Sequence, residues 1–338
     1  MLQISIVLPT YNRLTRLQHV IAALEAQSFP REQFEVIVVS DGSTDGTNDY
    51  LQNLKTGLDL KVYVQENRGV AAARNLGIAH SKADIILFID DDVVPTPQLL
   101  SEHWRLHQQG QAQAVLGPML TPEDFAMQPW VRWEQAMLEK QYKAMLRGDW
   151  EATARQFYTG NCSLPRRYLE LAGGFDESFR RAEDVELAYR LADLGLKFTF
   201  NPAAIGYHYA ERSFESWLAI AYSYGRNDVI FARDKQQGWL WASIGYEYEQ
   251  RNRLTKELVK LCLDRSGLSY SQLAFSKLAA YWAERLGLQG LASRVYSSIF
   301  NLRYYQGASD ELGGRAALFA LVKGNQVPNF EQQVMSEE

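Results

Sequence analysis

Ile85-Ile86-Leu87-Phe88-Ile89 runs without a polar break into Asp90-Asp91-Asp92. The five apolar residues suit a strand buried on both faces, as in a parallel sheet covered by helices. Such a sheet binds ligands beyond the C-terminal ends of its strands, where these three carboxylates fall. Three adjacent like charges repel, so the junction calls for a compensating charge. A hard divalent cation, Mn²⁺ or Mg²⁺, shared with a diphosphate supplies it, because both ions take carboxylate and phosphate oxygens. The plainer alternative is a solvated acidic turn.

The flanking segments extend this reading. Residues 3–8 and 34–40 are apolar strand patterns, ending at Pro9 and at Asp41-Gly42-Ser43-Thr44-Asp45-Gly46, a tail of turn formers. Between them Leu17, Val20, Ile21 and Leu24 recur at helical spacing, behind Thr15 and Gln18, which are spaced as a capping box. Residues 60–65 read as a third strand and 70–80 as a helix. This alternation predicts an α/β fold with a doubly wound, mainly parallel, Rossmann-like sheet. Further on, the pattern predicts a strand over 114–120, a helical aromatic stretch over 123–157 and a strand over 157–164. Helices are expected over 166–172 and 183–194, with short strands over 197–200 and 204–209. From Ser213 a helical C-terminal region continues almost to the end, with breaks near Gly238 and Gly267. The last ten residues are polar and expected to fray.

At 338 residues the chain exceeds one typical domain. The net charge of −5 gives no support for nucleic-acid binding. Cys162 and Cys262 are far apart, so neither a zinc site nor a disulfide framework is indicated, and a cytoplasmic setting is expected. The first strand begins at Ile4, leaving no room for a signal peptide. No apolar run approaches the ~20 residues that span a bilayer. Composition leaves peripheral contact with the inner face of a membrane open.

A second carboxylate cluster lies in Glu183-Asp184-Val185-Glu186-Leu187. On a helical wheel Asp184 shares a face with Leu187, Ala188 and Leu191, while Glu183, Glu186 and Arg190 take the wetter face. An inward carboxylate is costly without a partner or a task. A general base fits, since partial burial raises its pKa; the alternative is an acidic residue favoured by the helix dipole. Asp41, ending a buried strand, suits a base or ribose, against a simple Asx turn before Gly42. Arg13, Arg74 and Arg212 are candidate phosphate ligands, against plain solvated arginines. His208, at the end of a short strand, suits a metal or phosphate, against a structural histidine. His103 and His107 have helical i, i+4 spacing but no acidic residue after His103, and are expected on a helix surface.

The order of motifs resembles the family-two glycosyltransferases of GT-A fold. The matching stretches are Val7 to Arg13, Val39 to Thr47, Glu66 to Asn75, Asp90-Asp91-Asp92, Gly173 to Glu177 and Glu183 to Leu187. They cover roughly residues 3–210, with Ser40 standing where the family usually has the first of two aspartates. The resemblance implies a catalytic domain over 1–210, its nucleotide-sugar half to about residue 120 and its acceptor half over 121–210, followed by a helical region over 211–338. It implies an inverting transfer from a nucleotide-diphosphate sugar, UDP favoured, to a glycan or lipid-linked saccharide. Pro9, Thr10, Tyr11, Arg13, Asp41, Arg74, Asp90 and Asp91 would bind the nucleotide sugar. Asp92 and Asp90, with His208 as a further candidate, would hold the Mn²⁺ or Mg²⁺. Asp184 would deprotonate the acceptor, and Trp130, Asn161 and Glu183 would contact it. For Trp130 and Trp133 the favoured reading is packing of the helical stretch onto the sheet. The C-terminal helices suit three tasks: covering the acceptor cleft, forming a homodimer or touching a membrane.

Other classes fit less well. A sugar-nucleotide pyrophosphorylase needs a glycine-rich basic loop after the first strand, where Pro9-Thr10-Tyr11-Asn12-Arg13 has no glycine. Neither GxGxxG nor GxxxxGK[ST] occurs at that turn. A non-catalytic sugar-nucleotide binder would be expected to lack Asp184 or the metal aspartates.

Overall fold

Every residue of Ile4–Thr10 and of Phe34–Asp41 is buried, as strands at the centre of a helix-covered sheet must be. The computed structural model describes residues 2–324, with side chains at all of these except 266–270. The last ten residues, expected to fray, lie outside the described residues.

The strands are β1 (Ile4–Thr10), β2 (Phe34–Asp41), β3 (Leu60–Gln65), β4 (Ile85–Ile89), β5 (Val93–Pro95), β6 (Gln113–Leu116), β7 (Met119–Leu120), β8 (Asn161–Pro165), β9 (Lys197–Phe200) and β10 (Gly206–His208). Seven form one sheet in the order β3-β2-β1-β4-β8-β6-β9, and β5-β10-β7 form a small second sheet. In the large sheet β8 alone runs against its neighbours. The helices of this part are α1 (Leu14–Glu25), α2 (Thr47–Asn53), α3 (Val70–His80), α4 (Leu99–His107), α5 (Pro129–Leu146), α6 (Arg166–Ala172) and α7 (Glu183–Asp193). Helix α1 buries Leu17, Val20, Ile21 and Leu24, and these pack with Ile6, Leu8, Val36, Leu87 and Ile89 in the main core.

Four local expectations are corrected. The run 114–120 is two strands in two sheets, split at Gly117-Pro118. A Cβ on Gly117 would lie 2.2 Å from the Ala204 carbonyl oxygen, so the chain turns where only glycine fits. Thr15 and Gln18 form no capping box: α1 begins at Leu14, whose N–H donates to Asp45 at 3.0 Å. The helix expected over 123–157 shrinks to α5 and a short 3-10 turn at Ala154–Gln156, and the strand expected from residue 157 begins at Asn161.

The chain divides into two compact units: residues up to Gln128 with Glu134–Glu211, and Pro129–Trp133 with Arg212 onward. The second is helical: α8 (Phe214–Asp234), α9 (Trp239–Gln250), α10 (Arg253–Cys262), α11 (Ser266–Arg285), α12 (Gln289–Glu311) and α13 (Arg315–Val322). Helices α8 and α12 meet backbone to backbone. A Cβ on Gly225 would lie 1.9 Å from the Tyr304 carbonyl oxygen, and one on Gly307 2.0 Å from that of Tyr222. Trp130 and Trp133 pack here, against Phe214 and Trp217, and not onto the sheet. Among the described residues no helix is long and apolar enough to cross a membrane.

Candidate active site

The C-terminal ends of β1, β2 and β4 bring Thr10, Asp41 and Asp90 to one edge of the sheet. The Thr10 hydroxyl donates to Asp91 at 2.7 Å, and the Arg13 guanidinium donates to Asp92 at 2.9 Å. Pro9 is buried beneath them and Tyr11 is exposed. Asn12, at a positive φ of 52°, fastens this loop to the one after β2. Its N–H donates to Ser43 at 3.0 Å and its side-chain oxygen accepts from the Thr44 N–H at 2.7 Å. The acidic junction is therefore held by its neighbours and is no simple solvated turn.

Asp41 does not form an Asx turn. It accepts from Gln65 Nε2 at 2.7 Å and from the N–H groups of Arg68 (2.8 Å) and Gly69 (2.9 Å). A carboxylate so engaged holds the loop before α3 in place. That loop needs its glycine, since Gly69 sits at φ 95°.

Arg74 corrects a further expectation. It is 3% exposed, on α3, and it reaches Asp90 at 2.8 Å and Glu183 at 2.7 Å. Both arms of the guanidinium are taken by carboxylates, so Arg74 is no free phosphate ligand. The same contact turns Glu183 inward and takes it from the acceptor. Glu186, expected on the wet face, is also buried, paired with Arg190. Asp184 is partly exposed: one oxygen accepts from the Val185 N–H at 2.9 Å, and the other has no protein partner among the described residues. Loss of surrounding water, followed by the charge of Glu183, pushes its pKa well above the ordinary carboxylate range. Burial and the charge of Asp92 push Asp91 up to about 7.

This is a strand-end site with a compensated acidic floor and two carboxyls, Asp91 and Asp184, of raised proton affinity. Residues 5–170 match the sequence model of glycosyl transferase family 2. Through this segment the chain belongs to glycosyl transferase family 2. It is 33% identical over 232 residues to validoxylamine A glucosyltransferase of Streptomyces hygroscopicus subsp. jinggangensis, covering 60% of this chain and 54% of that one. It is 25% identical over 293 residues to glycosyltransferase AglE of Haloferax volcanii, covering 84% and 92%. The chain thus spans about half the length of the validoxylamine A glucosyltransferases it matches. Its fold is that of the GT-A proteins. The mannosyltransferase PcManGT from Pyrobaculum calidifontis, solved in complex with GDP-Man and Mn²⁺, superposes with a TM-score of 0.62 at 19% identity, covering 92% of this chain and 87% of that one. TarS of S. aureus superposes with a TM-score of 0.54 at 18% identity, covering 91% and 55%.

In this family-two domain the residues available to a divalent cation are few. Among the described residues no three His, Cys, Asp or Glu side chains converge as a ready-made cation cage. Asp92 and His208 do converge, with Nε2 of His208 3.6 Å from the Asp92 carboxylate. Strand pairing sets this up, because His208 on β10 lies opposite Val93 on β5. The other ring nitrogen of His208 is buried without a partner among the described residues. One carboxylate and one imidazole suit a borderline cation that draws its remaining ligands from a diphosphate.

The remaining predicted residues are placed elsewhere. Asn161 is buried, with its NH₂ donating to the carbonyls of Pro118 (3.1 Å) and Ala204 (2.8 Å) and its oxygen 3.0 Å from His103 Nε2. It stitches β8 to the neighbouring loops and does not face an acceptor. Trp130 and Arg212 belong to the second unit, where the Trp130 N–H donates to the Arg212 carbonyl. His103 is buried and His107 partly so, not on the helix surface, and both reach Ser163 Oγ, at 2.8 and 2.7 Å. The sequence reading missed Asn12 and Ser43 as loop fasteners. Their signal was present, since both lie inside quoted motifs and are residue types that bond backbone in turns.

Proposed function

We propose that the chain transfers a sugar from a nucleoside-diphosphate donor, UDP favoured, to a hydroxyl of a glycan or lipid-linked saccharide, by single displacement with inversion. The observation that carries this reading is Asp184. It has a carboxyl oxygen without a protein partner among the described residues and a raised proton affinity, at the start of a helix tied through Glu183 and Arg74 to Asp90. In this reading Asp184 takes the acceptor proton as the hydroxyl oxygen attacks the anomeric carbon, and the diphosphate leaves from the opposite side. Proton removal by a positioned carboxylate contributes about 10²–10⁴-fold.

Asp92 and His208 would hold a divalent cation together with diphosphate oxygens. When bound, the cation offsets charge on the leaving diphosphate. The mixed oxygen and nitrogen donors favour Mn²⁺ over Mg²⁺. The Mn²⁺ and GDP-Man held by PcManGT, and the UDP-GlcNAc held by S. aureus TarS, support a nucleotide-sugar donor and a cation. Arg13, partly exposed beside Asp92, is a cationic side chain available to a diphosphate, and Pro9, Thr10 and Tyr11 precede it in the chain.

Calorimetric titration of UDP, GDP, dTDP and ADP, with and without Mn²⁺, tests the donor half of the reading. Cation-dependent binding of one nucleotide is expected. Absence of binding by all four, in both conditions, would sink it. Nucleotide release only when acceptor is added would then separate a transferase from a binder.

A further inference from the structure

The second unit presents an apolar face that no described residue of that unit covers. Along α11, Phe275, Leu278 and Trp282 recur at i, i+3 and i+7 with Tyr281 beside them, and Leu286 and Leu291 continue the surface into α12. Phe275 is 67% exposed, Leu278 54%, Trp282 53% and Leu286 70%. The opposite side of α11 is spent on the core through Ala280 and Ala283. One flank of the helix therefore packs on the core while the other keeps its largest side chains in water. Scattered exposed apolar residues need no explanation, but a continuous row of this size marks a binding surface.

The charges around the row indicate what it meets. Between Ser271 and Arg294 the cations are Arg285, Arg294 and Lys277, the last turned to the packed side with its ammonium over the Phe214 ring at 4.3 Å, and the only acid is Glu284, which Arg132 holds at 3.1 Å. This segment is positive in a chain whose net charge is −5. Arg285 lies over the Tyr281 ring at 5.4 Å, its head at the edge of the apolar row. Aromatic rings with a polar tip, leucines and a basic rim are the composition of a helix that lies in a membrane interface. A second copy of the chain fits less well, because a two-fold contact would bring Arg285 and Arg294 toward their own copies, where interface centres exclude charge.

We propose that this face of α11, with the turn into α12, seats on an anionic lipid bilayer. It lies on the surface and does not cross. The inference is independent of the sugar-transfer reading, because no residue of the first unit enters it.

Flotation of the full chain tests it, using phosphatidylcholine vesicles with about one-third phosphatidylglycerol against pure phosphatidylcholine. Binding to the anionic vesicles is expected, weakened about tenfold on pure phosphatidylcholine and by high salt. The double variant Phe275→Ser with Trp282→Ser is expected to weaken it about tenfold at an unchanged melting temperature, since both side chains are exposed. Arg285→Glu, which leaves the apolar row intact, is expected to weaken binding to the anionic vesicles only. No binding to anionic vesicles, or equal binding by the double variant, would overturn the proposal. So would a light-scattering mass of two chains that the double variant returns to one, which would assign the face to a second copy.

Discussion

Asp90 and Glu183 are held by one guanidinium: Arg74 reaches the first at 2.8 Å and the second at 2.7 Å. The strand that delivers the acidic junction and the helix that delivers Asp184 are thereby fixed to each other by a single buried side chain. Removing one partner of a buried ion pair leaves the others uncompensated. Arg74→Met is expected to lower unfolding free energy by about 3 kcal/mol, measured by urea denaturation. Arg74→Lys keeps the charge but loses the fork, and is expected to fall in between. A loss under about 0.5 kcal/mol in Arg74→Met would contradict the network.

Asp184→Asn is expected to lower turnover by about 10²–10⁴-fold while leaving donor affinity unchanged. In the unsubstituted chain the rate is expected to rise with pH through the raised pKa of Asp184, since only its ionised form accepts a proton. Near-normal turnover in Asp184→Asn removes it from the base role.

The buried histidines give a stability signature in acid. Asn161 spends its NH₂ on two carbonyls, so its oxygen accepts from His103 Nε2–H; His103 Nδ1 then accepts from Ser163, which accepts from His107. Burial pushes His103 down to about 4 and His107 down to about 3. Both remain neutral in the fold at pH 5, while the unfolded chain takes up their protons. Stability is therefore expected to fall as pH drops from about 6.5 toward 4, by up to about 1.4 kcal/mol per pH unit for each histidine. His103→Gln is expected to halve that slope in denaturation series at pH 7, 6 and 5.

Asp92→Ala and His208→Ala are each expected to abolish the Mn²⁺ dependence of donor binding, with His208→Ala retaining more Mg²⁺-supported binding because Mg²⁺ relies less on nitrogen. Titration of donor with either ion, and with chelator, reads this directly. Unchanged Mn²⁺ dependence in both variants would exclude the pair as the cation's ligands.

Gly225→Ala is expected to destabilise the helical unit by about 1–3 kcal/mol, the cost of overpacking a close contact, because its Cβ would lie 1.9 Å from the Tyr304 carbonyl oxygen. Thermal unfolding followed by tryptophan fluorescence reports it through Trp217.

The strands were legible because apolar runs such as Ile85–Ile89 and Val36–Val39 carry their own signal, and the acidic junction could be placed at a strand end on pattern alone. The orientations of α7 were not. A wheel sees one helix, and Glu183 looks solvent-facing until Arg74 arrives from α3 to pair with it. His103 and His107 were misread for the same reason, since Ser163 and Asn161, which bury them, come from β8. The break of residues 114–120 into two sheets depended on how closely Ala204 approaches Gly117, a contact no local pattern contains. Polar residues that serve long-range partners are therefore where reading from sequence stopped.

The clamp that Asp41 places on Arg68 and Gly69 has a bearing on speed. A loop already bonded into shape has few conformations to search, so encounter with a ligand at this edge would be limited by diffusion and charge rather than by waiting for the loop to close. Loosening the clamp, as in Asp41→Ala, would then slow association more than it hastens departure.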